Sequence, residues 1–400
     1  MINLKKYKAS LVAKFIKFMK KLVISIIVPP SRKVPPFYGY GGSQRGAYDL
    51  VEELKNMGHE IILFAPRDSE TSADRLISPT RGTNDPPPIT DERKRRELVN
   101  RYRNKIIEVL SEKPDIDIIN LRWDDERILE FIKDLDAPLL YSLHNPASKF
   151  TPKMLEICKE YSIQMSVHCE SHKKQYTRLG LRNIEVVYYG MDVDLYPYSQ
   201  KALVKSKEKP KLDLLCRLKE DGADYLLSIG RIAPHKGQYT AIQVVRKTKE
   251  KLIIVGKPFF LDKRQTHYFN SKIRPNIDEE QIFYIENVNE EEKKELMKFA
   301  KGLLFPAGIE DPSWEEPFGR VLMESLSCGT PVIAYNKASS PEIIAPEVGH
   351  LVNDIEEMVE AVSRIEDINR GTCRKYAERR FKRSRMARDY LRLYERISRR

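Results

Sequence analysis

Short apolar runs recur along this chain with stretches of helical length between them, and they form two series. Runs of four to seven apolar residues separated by helices are typical of parallel β-strands covered by helices on both faces. The runs are LVISIIV from 22, EIILF from 60, IDIINL from 116, PLLYSL from 138 and IEVVY from 184, then DYLLSIG from 224, KLIIVG from 251, QIFYIE from 281, GLLF from 302 and PVIAY from 331. The repetition predicts an α/β protein with two Rossmann-like domains whose parallel sheets face a shared cleft.

The length of the chain also favours two domains, because 400 residues exceed what one hydrophobic core usually organises. The segment 199–220 is rich in lysine and leucine and has no strand pattern, so we place the domain junction there. The final segment has apolar residues for packing, and we expect its helix to cross back onto the first domain. The predicted parts are a basic extension over 1–21, an N-terminal domain over 22–205, a C-terminal domain over 206–378 and a C-terminal helix over 379–400.

The positive charge is concentrated at the two ends of the chain. The net charge is +12, of which residues 1–21 contribute +7 and residues 374–400 contribute +9, so the intervening body carries −4. A basic patch on the folded body, the usual mark of nucleic-acid binding, is therefore not indicated, and we expect no nucleic-acid partner.

The basic N-terminal extension has an amphipathic pattern. Between residues 4 and 22 the apolar side chains fall broadly on one helical side and the lysines largely elsewhere. This pattern favours a helix lying on an anionic membrane surface. A solvated extension fits it equally well, and both interpretations stay open.

The five cysteines are scattered and show no C-x-x-C pairs, which indicates a reducing compartment. The longest apolar run, 22–28, is too short to span a bilayer, and it ends in Pro29-Pro30 without the small residues of a signal-peptide cleavage site. We therefore expect a cytoplasmic protein, with the inner face of a membrane as an alternative location.

A glycine-rich loop follows the first predicted strand. Gly39, Gly41 and Gly42 precede a predicted helix that ends near Gly58. Glycines permit close approach of a ligand, and a helix N-terminus offers free N–H groups to an anion. The spacing differs from G-x-G-x-x-G, so a structural turn is as good an interpretation as a ligand loop.

Two motifs in the second half carry charged residues suited to chemistry. In GRIAPHKG, Arg231 and Lys236 follow a predicted strand, where they could face one phosphate group or be solvated loop charges. In EEPFGRVLMESLSCG, Glu316 and Glu324 form an E-x7-E element around the start of a helix. Glu324 lies among apolar residues and needs a partner, which could be a ribose diol or an internal salt bridge.

These segments, in this order, resemble the retaining glycosyltransferases of family 4, which have the GT-B fold. The likeness covers about residues 22–397 and rests on the glycine loop, PRDSETSA at 66–73, SLHNP at 142–146, GMDVDLYP at 190–197, GRIAPHKG and the E-x7-E element. It implies transfer of a hexose from a UDP- or GDP-linked donor to a glycan, lipid or small-molecule acceptor. No metal and no other cofactor are expected.

The resemblance also implies roles for individual residues. Arg231 and Lys236 correspond to the pair that neutralises the donor diphosphate, and Glu324 to the acid that holds the ribose. Glu316 corresponds to the acid near the transferred sugar, and His144 to a histidine facing that sugar. The remaining residues expected to bind substrate are Gly41, Gly42, Phe318, Gly319, Arg320 and Val321.

The chain departs from the family pattern at His168-Cys169, where relatives usually have an apolar residue and serine, and at Gln44, which replaces a common glutamate. These departures concern acceptor details. Two alternatives stay open: another enzyme on the same fold, namely a nucleotide-sugar epimerase or a phosphorylase, and a catalytically silent protein that docks through its basic ends.

Overall fold

The computed structural model describes residues 21–37, 41–112, 114–259 and 261–398. Within these residues the chain forms two parallel β-sheets, one of seven strands and one of six, each flanked by helices. The predicted basic extension falls almost entirely on residues 1–20, and Gly39 of the predicted glycine loop lies at 38–40; both lie outside the described residues. The prediction of two sheets with Rossmann-like windings is confirmed.

The first sheet has the strand order β3-β2-β1-β4-β5-β6-β7, with every neighbouring pair parallel. Its strands are β1 (Val23–Ile27), β2 (Glu60–Phe64), β3 (Arg75–Ile77), β4 (Ile118–Leu121), β5 (Leu139–Ser142), β6 (Gln164–Val167) and β7 (Ile184–Val186). Its helices are α1 (Gly42–Asn56), α2 (Glu92–Ser111), α3 (Glu126–Ile132), α4 (Pro152–Glu160) and α5 (Glu170–Arg178).

The second sheet has the order β10-β9-β8-β11-β12-β13 and is also parallel. Its strands are β8 (Tyr225–Ile229), β9 (Lys251–Val255), β10 (Ile282–Ile285), β11 (Gly302–Phe305), β12 (Val332–Tyr335) and β13 (Gly349–Val352). The helices are α6 (Asp213–Glu220), α7 (Gln238–Thr248), α8 (Lys263–Tyr268), α9 (Glu290–Phe299), α10 (Arg320–Ser327), α11 (Ser340–Ile343) and α12 (Ile355–Ser363).

Two further helices, α13 (Arg370–Arg380) and α14 (Arg383–Ser398), end the described chain. The predicted crossing back onto the first domain is confirmed, because the Tyr394 hydroxyl accepts a hydrogen bond from Asn120 at 2.6 Å and the Tyr390 hydroxyl accepts one from Arg122 at 3.0 Å. Arg383 adds an ion pair with Glu53 of α1 at 2.9 Å. Five apolar side chains of this final segment are buried: Phe381, Met386, Tyr390, Leu393 and Tyr394.

Three strands were not predicted from the sequence, and each has a local reason. Two of the three residues of β3 are exposed, so it has no apolar run and exists through its pairing with β2. In β6 all four residues are buried, but Gln164 and Ser166 are polar; Ser166 donates a hydrogen bond to Ser142 of β5 at 2.8 Å. Strand β13, GHLV, begins with a glycine and a histidine and so has no continuous apolar run. Its glycine is needed for close packing on β12, since a Cβ at Gly349 would lie 2.3 Å from the Val332 carbonyl oxygen.

Gly46 lies inside α1, where alanine is ordinarily the more stable residue by about 0.5–1 kcal/mol. Here a Cβ would lie 2.2 Å from Cε1 of Tyr189, whose buried ring lies between His168 and Phe318. We therefore expect Gly46→Ala to lower the free energy of unfolding by about 1–3 kcal/mol, as overpacking does. Urea denaturation measures this, and Gly46→Ala/Tyr189→Leu should recover much of the loss. A gain in stability from Gly46→Ala alone would contradict the packing described here.

Among the described residues, no helix is long and apolar enough to cross a membrane.

Candidate active site

The loops that follow the central strands of both sheets face one another across a cleft. In each sheet the strand order reverses beside the first strand, between β1 and β4 and between β8 and β11. Ligands of parallel α/β sheets bind at such reversal points, beyond the carboxyl ends of the strands. The cleft encloses about 600 Å³ and is lined from both domains. All eleven predicted site residues line it: Gly41, Gly42, His144, Arg231, Lys236, Glu316, Phe318, Gly319, Arg320, Val321 and Glu324.

On the second domain, two cations follow β8. Arg231 is exposed in the cleft, with its guanidinium 5.8 Å from the centre of the Phe259 ring. Lys236 is partly buried, and its Nζ lies 2.5 Å from Glu316 Oε2. The two predicted cations thus line one wall, and the lysine is already paired with the first acid of the E-x7-E element.

The Glu316 carboxylate is held in its charged form. Burial alone would raise its pKa, but the charge of Lys236 and the hydrogen bonds donated by Lys236 and by Trp314 Nε1, the latter at 3.1 Å, hold the pKa below its ordinary value. Glu316 is therefore a carboxylate at neutral pH and suits hydrogen-bond acceptance and charge stabilisation, not proton donation.

The second acid of the element, Glu324, is buried on α10 and has ion-pair partners. Its Oε2 lies 3.2 Å from Lys293 Nζ, and its Oε1 lies 3.8 Å from Arg320 Nε. The internal salt bridge that the sequence left open is therefore present. Lys293 also forms an ion pair with Glu290 at 2.9 Å, and Glu290 in turn forms one with Arg45 of the first domain at 3.0 Å.

A second ion pair crosses between the domains at the start of α10. Arg320 Nη2 lies 2.8 Å from Asp49 Oδ2 of α1, and both side chains are buried. Burial raises the pKa of Asp49 above its ordinary value even though Arg320 and Arg45 favour the charged form. Gly42 adjoins this ion pair closely, because a Cβ there would lie 3.3 Å from Arg320 Cδ.

The N-terminus of α10 faces the cleft without a side-chain cap. Gly319 is the N-cap residue with φ 73°, a left-handed conformation that glycine adopts at no steric cost. Its neighbour Phe318 is buried, and Val321 is partly buried. Uncapped N–H groups at a helix start favour an anion.

On the first domain, His144 follows β5 and belongs to a buried polar cluster. Its Nδ1 lies 2.6 Å from the Tyr189 hydroxyl and 2.8 Å from His168 Nε2. Burial, together with the charge of Arg122 and the neighbouring rings of His168 and His172, holds the pKa of His144 well below its ordinary value. His144 is therefore a neutral imidazole at physiological pH.

The sequence did not point to several cleft residues that the structure places beside the predicted ones. Glu290 and Lys293 lie on α9, and Arg122 and Asp124 follow β4. The only available signal was positional, since residues after the β4 strand face the reversal point of the first sheet. The side chain of Arg122 is buried, and two of its nitrogen atoms, Nε and Nη2, have no hydrogen-bond partner in the described part of the chain.

Within the described residues, no group of three or more histidine, cysteine or acidic side chains could hold a metal ion. The sequence contains Asp-x-Asp pairs at 115–117, 134–136 and 192–194. Two of these acids have partners within the protein: Asp117 accepts a hydrogen bond from the Val23 N–H at 2.8 Å, and Asp192 pairs with Arg383 at 3.2 Å.

Models of two glycosyltransferase families match the two halves of the chain. The model of the family described as "Glycosyltransferase Family 4" matches residues 40–195, and that of "Glycosyl transferases group 1" matches residues 217–383. Trehalose synthase of Pyrococcus horikoshii is 24% identical over 333 residues, which are 80% of this chain and 77% of that protein.

Solved structures show the same fold. Sucrose-phosphate synthase from Thermosynechococcus elongatus superimposes with a TM-score of 0.72 at 16% identity, covering 94% of this chain and 99% of that one. Anabaena HepE, crystallised in complex with UDP-glucose, gives a TM-score of 0.67 at 16% identity, with 94% and 99% of the two chains covered. With both halves matched by successive family models, the chain belongs to glycosyltransferase family 4, has the GT-B fold and transfers a sugar from a nucleotide-sugar donor.

Proposed function

We propose that this protein transfers a hexose from a UDP- or GDP-linked donor, with retention of the anomeric configuration, to a glycan, lipid or small-molecule acceptor. The observation that carries the proposal is the convergence of Arg231, Lys236, Glu316 and Glu324 on one wall of the cleft, beside the uncapped N-terminus of α10. Cations and helix N–H groups suit a diphosphate, and buried carboxylates suit the hydroxyl groups of a sugar and a ribose.

The leaving group of such a reaction is the nucleoside diphosphate, on which negative charge grows as the glycosidic bond breaks. Arg231 offers a planar fork of N–H donors, and Lys236 a compact charge. Lys236 has three donors, so its bond to Glu316 leaves two for phosphate oxygens. Donors fixed in place before the reaction stabilise this charge more than water would.

Glu324 has room for a ribose diol in addition to its ion pairs. A carboxylate has about four lone-pair positions. Lys293 Nζ lies 3.2 Å from Oε2 as an ion-pair partner, and the 3.8 Å separation between Oε1 and Arg320 Nε exceeds hydrogen-bond length. The salt bridge and the ribose role are therefore compatible.

The first domain would supply the other side of the reacting centre. His144 is a neutral imidazole that lines the cleft, and it would face the transferred sugar. Gly41 and Gly42 also line the cleft and would lie near the diphosphate or the acceptor. HepE, which shares the fold, was crystallised with UDP-glucose, and this supports a nucleotide-hexose donor.

For the setting, we propose the cytoplasm, which the five free cysteines support. Docking of residues 1–21 on an anionic membrane face stays a prediction of the sequence.

A nucleotide panel tests the donor site. Thermal unfolding is followed with UDP, GDP, ADP and their sugars, for the wild type, Glu324→Gln and, as a matched control, Glu356→Gln on the exposed surface of α12. A ligand at 100 times its Kd adds about 2.7 kcal/mol of stability. We expect one base to stabilise the wild type and the control, and to stabilise Glu324→Gln much less. No response to any nucleotide would favour the catalytically silent alternative.

A further inference from the structure

Two histidines in the first-domain wall of the cleft are in direct hydrogen-bond contact. His144 follows β5 and His168 follows β6, and their rings stack with centroids 4.7 Å apart. His168 Nε2 lies 2.8 Å from His144 Nδ1, and His168 Nδ1 lies 3.1 Å from the carbonyl oxygen of Val187. This chain of contacts runs from the backbone to the ring that lines the cleft.

The backbone carbonyl determines where the protons lie. A carbonyl oxygen only accepts hydrogen bonds, so His168 Nδ1 must carry a proton. Burial and the charges of Arg122 and, more weakly, Arg320 hold the pKa of His168 well below its ordinary value, so the ring is neutral and Nε2 has none. His168 Nε2 is therefore the acceptor at 2.8 Å, and His144 Nδ1 is the donor.

The same reasoning fixes the far side of the His144 ring. A neutral imidazole with its proton on Nδ1 has a free lone pair on Nε2. That nitrogen is buried and has no hydrogen-bond partner within the described chain, although the residue lines the cleft. The Tyr189 ring, stacked 3.8 Å from His168, places its hydroxyl oxygen beside the same Nδ1–H and holds both rings in position.

We propose that His168 is a positioning residue that fixes the tautomer of His144, so that His144 presents a hydrogen-bond acceptor to a hydroxyl group of the transferred sugar. His168 acts only through His144 and does not touch the substrate. The identity of the hydroxyl donor rests on the proposed function; the tautomer does not. An unsatisfied buried lone pair is costly until such a donor arrives, so the site prefers sugars that carry a hydroxyl at that position.

Two variants separate this role from simple packing. His168→Phe keeps a ring of similar size but removes both nitrogens, so the His144 tautomer is no longer fixed. His168→Gln has an amide N–H that can donate to Val187 O and an amide oxygen that can accept from His144, so it should restore the arrangement. Thermal unfolding verifies that each variant is folded.

The decisive measurement is nitrogen NMR of protein with ¹⁵N-labelled histidine, with the His144 signals assigned from His144→Gln. We expect a protonated Nδ1 and an unprotonated Nε2 on His144 in the wild type and in His168→Gln, and a loss of that single form in His168→Phe. A protonated Nε2 on His144 in the wild type, or an unchanged tautomer in His168→Phe, would overturn the proposal. The wild-type spectrum decides even where a variant fails to fold.

Turnover provides the second readout. One neutral hydrogen bond corresponds to about a tenfold change at most in kcat/KM. With the full donor, kcat/KM should therefore fall by about that factor in His168→Phe and by less in His168→Gln. With a donor that lacks the hydroxyl bound by His144, kcat/KM should differ less between wild type and His168→Phe. If His168→Phe lowers kcat/KM by the same factor with every deoxy donor as with the full donor, His144 does not accept a hydrogen bond from a sugar hydroxyl. Failure of the nucleotide panel would refute the proposed function while leaving the NMR result intact.

Discussion

Arg231→Ala is expected to lower kcat/KM by about 10²–10³-fold, which is the usual effect of removing one fixed donor from developing negative charge. The reason is positional: Arg231 directly follows β8 at the reversal point of the second sheet and is exposed in the cleft beside Lys236 and the start of α10. Alanine leaves the diphosphate with one cation fewer at the moment its charge grows.

Two matched variants sharpen this prediction. Arg231→Lys keeps the charge but loses the planar fork, so its activity should lie between those of wild type and alanine. Arg246→Ala removes an arginine of the same domain that is exposed on α7 and paired with Asp278, and it should leave turnover unchanged. Steady-state kinetics with the donor selected by the nucleotide panel measures all three. Equal activity in Arg231→Ala and Arg246→Ala would remove Arg231 from the diphosphate site.

Asp49→Asn is expected to cost about 3–5 kcal/mol of folding free energy, because it removes the negative charge that pairs with buried Arg320 across the domain interface. This is a large share of the 5–15 kcal/mol that holds most proteins folded. The two tryptophans, Trp123 and Trp314, line the cleft from opposite domains, so their fluorescence reports unfolding in urea directly.

The companion variant distinguishes a lost partner from lost packing. Asp49→Leu/Arg320→Met removes both charges, and an apolar pair of similar volume often replaces a buried ion pair with little loss. The raised pKa of Asp49 shows that its burial is only partly offset by Arg320 and Arg45. We therefore expect the double variant to be more stable than Asp49→Asn. If it is less stable, the packing of these side chains matters more than their charge.

Much of the fold could be predicted because a buried parallel strand usually consists of a continuous run of apolar residues. The runs at β1 and β9, for example, appear directly as LVISIIV and KLIIVG. Strand β6 could not be found in this way, because its polar residues are buried through hydrogen bonds to strands and loops distant in sequence. Such partners become visible only once the sheet is assembled.

In the candidate site, too, local sequence predicted some residues but not the partners that lie far away in the chain. Residues within one motif, such as Arg231 with Lys236, were predicted together because local spacing places them after one strand. Partners of other site residues come from distant parts of the chain: Asp49, which pairs with Arg320, lies 271 residues before it, and Tyr189, whose hydroxyl contacts His144, lies 45 residues away. His168 was noticed only as a departure from the family pattern, and its role depends on a backbone carbonyl that no sequence motif records.

Retaining cleavage of a nucleotide sugar in this cleft is measured by following the donor by proton NMR. The enzyme is given an α-linked nucleotide hexose without acceptor, and the anomer of the released sugar is read before mutarotation equilibrates it. We expect the α-anomer to appear first, at a rate that falls in Arg231→Ala. First appearance of the β-anomer, or release by Arg231→Ala at the wild-type rate, would exclude retaining transfer at this site.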